Sequence, residues 1–99
     1  MWDGEGEETV SNTINLPAYL QSYADDKESV TVKGKTIQEC LSGLIIRFPK
    51  LKKMLFDDEG QLHTYVSIFA ANEIIYADQL DKPVKEGDTI HILYIIGGG

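Results

Sequence analysis

At 99 residues, 42% of them hydrophobic, the chain is sized for one domain built around one modest core. Sixteen acidic against nine basic residues leave a net charge of -7, which repels phosphate backbones and anionic lipid, so neither nucleic acid nor a membrane surface is an expected partner. Cys40 is the only cysteine, so an internal disulfide is excluded, and no apolar run approaches the roughly 20 residues of a spanning helix; a soluble, untargeted, cytoplasmic protein is expected.

Residues 1–8 are acidic and glycine-rich without periodicity and read as a disordered lead-in. The domain proper is placed at residues 9–96, with residues 97–99 as a flexible glycine tail. Thr9 to Leu16 alternates through Val10, Ile14 and Leu16, which predicts a first strand, although Asn12 and Asn15 sit awkwardly in it. The stretch LPAYLQSYADD reads as an irregular loop anchored by Leu20 and Tyr23, and Val30 and Val32 mark a short second strand ended by Gly34. Thr36 and Glu39 have capping-box spacing, and Ile37, Cys40, Leu41, Leu44, Ile45 and Phe48 form one stripe of a helix that Pro49 cannot continue. Leu51, Met54 and Leu55 predict one more helical turn before the turn signal DDEG.

His63 to Phe69 alternates with apolar residues on both faces, which predicts an interior strand. Ala70 to Glu73 makes the bend, with Asn72 best suited to a positive φ, and IIYA is a brief strand. LDKPVKEGD is a turn region, and Thr89 to Ile96 is a last strand so apolar that burial on both faces is expected. A lone main helix packed on one face of a mixed sheet is an α+β design. With the first and last strands paired at the centre, it is the β-grasp, the fold of ubiquitin.

Little else in the chain carries chemistry. Cys40 lies on the apolar helix stripe, where a free thiol behaves as a small hydrophobe. His63 and His91 lack a cysteine or carboxylate at metal-ligand spacing, and Asp57, Asp58 and Glu59 lack the alternation of a calcium loop, so no metal site is expected. The cluster of Arg47, Lys50, Lys52 and Lys53 suits the negative end of a helix dipole, with docking as its other reading. No acid, base and nucleophile set is visible, so an independent enzyme is not expected.

The stretch LDKPVKEGDTIHILYIIGGG, with Leu80, Pro83, Val84, Gly87, Asp88, an apolar strand and Gly98-Gly99, resembles the carboxyl end of the MoaD/ThiS-type sulfur-carrier family. The resemblance extends back through FDDEGQLHTYVSIF and VTVKGKTIQECL and takes in residues 14–99. At the bend, Ala71-Asn72-Glu73 replaces the Asn-Gly frequent in that family, so a type I′ turn is not assured. Before the tail, Tyr94-Ile95-Ile96 and a third glycine stand where many members have proline, which bears on which activating enzyme grips this stretch.

The resemblance implies that the reactive group is the Gly99 carboxylate. Charge and resonance make a carboxylate a poor electrophile, so a ubiquitin-activating-type adenylating enzyme must first convert it, with ATP, to an acyl adenylate. No cofactor is expected on the chain itself. Gly97 and Gly98, lacking side chains, suit a narrow channel and main-chain capture. Attack by sulfur gives a thiocarboxylate for an acceptor such as the large subunit of molybdopterin synthase. In that case the chain is at most the small subunit of a synthase. Attack by a cysteine thiol and then a target-protein lysine gives an isopeptide bond, the fate of ubiquitin-like modifiers, including archaeal ones that combine both roles. Beside the tail, Phe69, Ile92, Tyr94 and Ile96 cannot all face one core if the last strand alternates; the resemblance implies an apolar docking patch among them.

Overall fold

In a computed structural model, which describes residues 10–94, the order of elements is β1 (Ser11–Asn15), α1 (Ala18–Gln21), β2 (Ser29–Lys33), α2 (Ile37–Arg47), α3 (Leu51–Leu55), β3 (Val66–Ala70), β4 (Glu73–Ile75) and β5 (Thr89–Tyr94). One mixed sheet runs β2-β1-β5-β3-β4. Its middle is the parallel pairing of β1 with β5, Ile14 opposite Ile90, flanked by antiparallel ladders on both sides. The predicted lead-in (residues 1–8) and glycine tail (97–99) lie outside the described residues.

Helix α2 covers one face of this sheet. Ile37, Cys40, Leu41 and Leu44 are buried along the predicted stripe, against Ile14, Val30, Val32, Ile68, Ile90 and Ile92 from the strands. Each such aliphatic side chain contributes roughly 1.5–3 kcal/mol by leaving water. The first turn of α2 leaves no N–H unsatisfied: Ile37 and Gln38 donate to the Lys82 and Leu80 carbonyls, Glu39 to Thr36 Oγ1 at 3.1 Å, and Cys40 to the Thr36 carbonyl. Glu39 Oε1 reaches back to the Lys35 N–H at 2.8 Å, one residue before the predicted box partner. Leu51 and Leu55 anchor α3 in the same core, as the sequence predicts.

Three expectations require correction, and the turn type left open at the Ala70–Glu73 bend is decided, with Asn72 at the expected positive φ. LPAYLQSYADD is ordered as α1 and a 3-10 turn over Ser22–Ala24: Pro17 presets φ at -68°, and Leu20 and Ala24, four apart, are both fully buried. The third strand starts at Val66, because Val66 N–H closes a turn onto the His63 carbonyl and leaves Tyr65 outside the ladder. Ala71 and Asn72 take φ of 54° and 64° between the paired Ala70 and Glu73, so the bend is a two-residue type I′ turn despite the missing glycine. Finally, β5 is not buried on both faces. Ile90 and Ile92 point to the helix side, while Leu93 is 46% exposed, since among the described residues no second layer covers the outer face.

Candidate functional site

Asn12 fixes where β5 begins. It is a buried polar residue, 2% exposed, and its needs are met: Nδ2 donates to the Gly34 carbonyl at 3.2 Å and lies 3.5 Å from Cys40 Sγ, while Oδ1 accepts from Asp88 N–H at 3.1 Å. Gly87, at φ 84°, makes the turn that delivers Asp88 to this contact, and Ser11 N–H donates to Glu86 Oε1 at 2.9 Å. Gly34 permits the close approach: a Cβ there would stand 2.8 Å from Cys40 N and from Glu39 Cβ.

The far end of β5 is held by aromatic rings. Tyr94 stacks on Tyr19 with centroids 5.1 Å apart and meets Tyr65 edge-on at 5.1 Å. Tyr65 in turn stacks on His63 at 4.7 Å, and His63 Nε2 donates to the Lys53 carbonyl at 2.9 Å. Burial raises the Tyr94 phenol to about 12, with the Tyr65 hydroxyl as a second contributor. Tyr94 is half-buried and packs against the core instead of lying free on the surface.

The predicted docking patch is rearranged. Ile92 is 2% exposed and lies in the core, because alternation turns it to the helix side with Ile90. Phe69 does face outward, half-buried, opposite Ile74 on β4 and His91 on β5, and Leu93 lies opposite Ser67. The outer sheet face thus gathers Phe69, Ile74 and Leu93, the last two 48% and 46% exposed. Ile74 and Leu93 are absent from the sequence-based set, yet counting by two from His91 finds Leu93. His91 borders the patch, its Nδ1 accepting from Asn15 Nδ2 at 3.2 Å and its ring 6.2 Å from that of Phe69. Ile96, Gly97, Gly98 and Gly99 lie outside the described residues.

The remaining candidates are accounted for by structure. Cys40 is fully buried, and burial pushes its thiol pKa up, which keeps it protonated and unreactive. The DDEG segment is a hydrogen-bonded turn: Asp57 Oδ1 accepts from Gln61 and Glu59 N–H groups at 3.0 and 2.9 Å, which holds its carboxyl below the usual range. Arg47 donates to the Thr31 carbonyl at 2.9 Å and covers the Phe48 ring.

The body is thus a sheet with its helix-facing side filled and its last described, central strand ending beside an apolar outer face, two residues before a triple glycine. The family model described as "ThiS family" matches residues 14–99. The chain belongs to the ThiS family. The β-grasp is likewise borne out. A chain of the Amycolatopsis orientalis BexX/CysO complex is 29% identical with a TM-score of 0.78, covering 89% of this chain and 99% of that one. Mycobacterium tuberculosis CysO, an antigen, is 25% identical at 0.77, covering 86% and 99%. SAMP1 from Haloferax volcanii shares the fold at 0.79 and 24% identity, covering 90% and 99%.

One curated relative, medium-chain acyl-CoA ligase ACSF2, mitochondrial, of Danio rerio, is 26% identical over 81 residues. The match takes in 82% of this ThiS-family chain but spans only 13% of that protein's length. Among the described residues no helix is long and apolar enough to cross a membrane.

Proposed function

We propose that this ThiS-family protein is a ubiquitin-like sulfur carrier, acted on by an adenylating enzyme, with the Gly99 carboxylate as its reactive group. The observation that carries the reading is the ThiS-family match running through residue 99, over a β5 that ends beside the exposed Phe69–Ile74–Leu93 face. In the first step a carboxylate oxygen attacks the α-phosphorus of ATP, pyrophosphate leaves, and an acyl adenylate forms. In the second, sulfide attacks the acyl carbon and AMP leaves with the bonding electrons, giving a thiocarboxylate. If the sulfur comes from an enzyme persulfide, a second thiol must release it, forming a disulfide on the donor. The ATP is the enzyme's substrate, and the chain's own work is to be gripped and to present its end. The sulfur then passes to a biosynthetic acceptor of the molybdopterin-synthase type, in the cytoplasm.

A second reading keeps the same activated acyl group but sends it to a cysteine thiol and then a target lysine, forming an isopeptide bond. The feature favouring it is the net charge of -7, which keeps an attached tag soluble. Incubation with an adenylating enzyme, ATP and sulfide separates the two. A carrier gains the mass difference between sulfur and oxygen. A modifier gives conjugates in extract that vanish when Gly99 is deleted. Neither change overturns both readings.

A further inference from the structure

Burial alone does not account for Tyr19. It keeps 56% of its surface in solvent, yet its ring lies nearly parallel to that of Tyr94, 5.1 Å away with 22° between the planes. The four-residue element that carries it is tied down at several points. Pro17 fixes the approach, Leu20 is fully buried, Gln21 Nε2 donates to the Leu16 carbonyl at 3.1 Å, and Leu16 N–H donates to the Glu28 carbonyl at 2.8 Å. On the opposite side Tyr65 is held by its stack on His63, which α3 anchors through the Lys53 carbonyl. Two independently anchored rings therefore grip the last described residue of β5.

We propose that Tyr19 and Tyr65 form an aromatic clamp on Tyr94 that sets the point and direction from which the terminal acyl group is delivered. Tyr19 is the positioning residue on the exposed side. The inference rests on the sulfur-carrier or modifier reading above, since both use the same end. Its physical basis is confinement. The five residues after Tyr94 reach at most about 17 Å, so the position of their root bounds the volume in which the end can lie. Reaction needs atoms within about 3–3.5 Å. A loose root spreads the carboxylate over positions from which adenylation cannot occur; a clamped one confines it.

The test uses the full chain with an adenylating enzyme that turns over the wild-type protein, read as pyrophosphate exchange. Tyr19→Ala is expected to raise KM two- to tenfold, the range one aromatic pair supplies, with kcat and the unfolding midpoint close to wild type. Tyr19→Phe, which keeps the stack, restores KM. Because direct contact between Tyr19 and the enzyme would also raise KM, the double variant decides: if Tyr19 acts through Tyr94, Tyr19→Ala has no further effect in a Tyr94→Leu background. Additive effects, or an unchanged KM in Tyr19→Ala, overturn the clamp while leaving the carrier reading intact. Absence of any exchange with the wild-type chain overturns both.

Discussion

Asn12 and Asp88, 76 positions apart, are joined by a hydrogen bond from the Asp88 N–H to Asn12 Oδ1, and this contact sets where the central strand begins. Removing the Asn12 side chain leaves the Asp88 N–H with the Lys85 carbonyl at 3.0 Å and takes the Nδ2 donor from the Gly34 carbonyl in a part-buried site. Asn12→Ala is expected to cost about 1–2 kcal/mol, measured by urea denaturation. Asn12→Asp should cost more, because the added charge is buried at 2% exposure beside the Gly34 carbonyl oxygen. A loss under about 0.5 kcal/mol for Asn12→Ala would show that the network is dispensable.

At Gly34 the difficulty is space and not φ. A methyl group would meet the backbone of Cys40 and the Glu39 Cβ at 2.8 Å, atoms fixed by the first turn of α2. Gly34→Ala is expected to lower stability by about 1–3 kcal/mol. Gly43→Ala, where the same addition meets nothing nearer than 3.7 Å, should be neutral or stabilising by helix propensity. Thermal melts of the two variants give the comparison.

The bend between β3 and β4 holds an alanine in a left-handed conformation, Ala71 at φ 54°. That strain is of order 1–2 kcal/mol. Ala71→Asn or Ala71→Gly should therefore raise the unfolding free energy by about 0.5–1 kcal/mol. The substitution alters no buried contact, so a fall in stability would mean that the turn is not of this type.

On the sheet, adjacent residues of β5 should separate stability from docking. Ile92→Ala removes a core side chain and is expected to cost about 2–4 kcal/mol. Leu93→Asp and Ile74→Asp, on the open face, should change stability by less than about 1 kcal/mol. On the carrier reading they impair adenylation at least tenfold, because a charge must then be desolvated at the docking face. Calorimetry paired with a thiocarboxylation assay checks both halves.

Tyr94 gives the fold an alkaline limit. Its phenol is raised from an ordinary 10.0 to about 12 in the folded state, so the unfolded chain ionises first. The stability it supplies is fully present below pH 10 and is lost as pH climbs from 10 to about 12. Urea midpoints for the wild type should fall over that window, and Tyr94→Phe should flatten the fall. Equal slopes for the two proteins would remove Tyr94 as the cause.

Much of this was legible in the sequence because periodicity reports burial. The α2 stripe follows from apolar spacing, the cap at Thr36 from its distance to Glu39, and the central pairing of the first and last strands from the β-grasp reading. What escaped was information held in partners. Asn12 reads as a blemish in a strand until Gly34, Cys40 and Asp88 converge on it. Tyr19 reads as a loop residue until β5 ends beneath it. The docking face was half found, since an unbroken apolar run hides which members point inward; Ile92 and Leu93 differ only by where α2 lies.

The parallel pairing of β1 with β5 has a consequence for biosynthesis. A nascent chain has its first strand early, but the partner filling the middle of the sheet is the last of the described strands to be translated. A ribosome that stalls before Thr89 leaves four strands in two unconnected pairs, with the edges of β1 and β3 that β5 joins in the full chain left without their ladder partner. Such fragments have no closed sheet to protect them from proteases. Cellular turnover would therefore discard abortive products lacking the stretch next to the glycines, and decoys that could occupy a partner without being able to react would not accumulate.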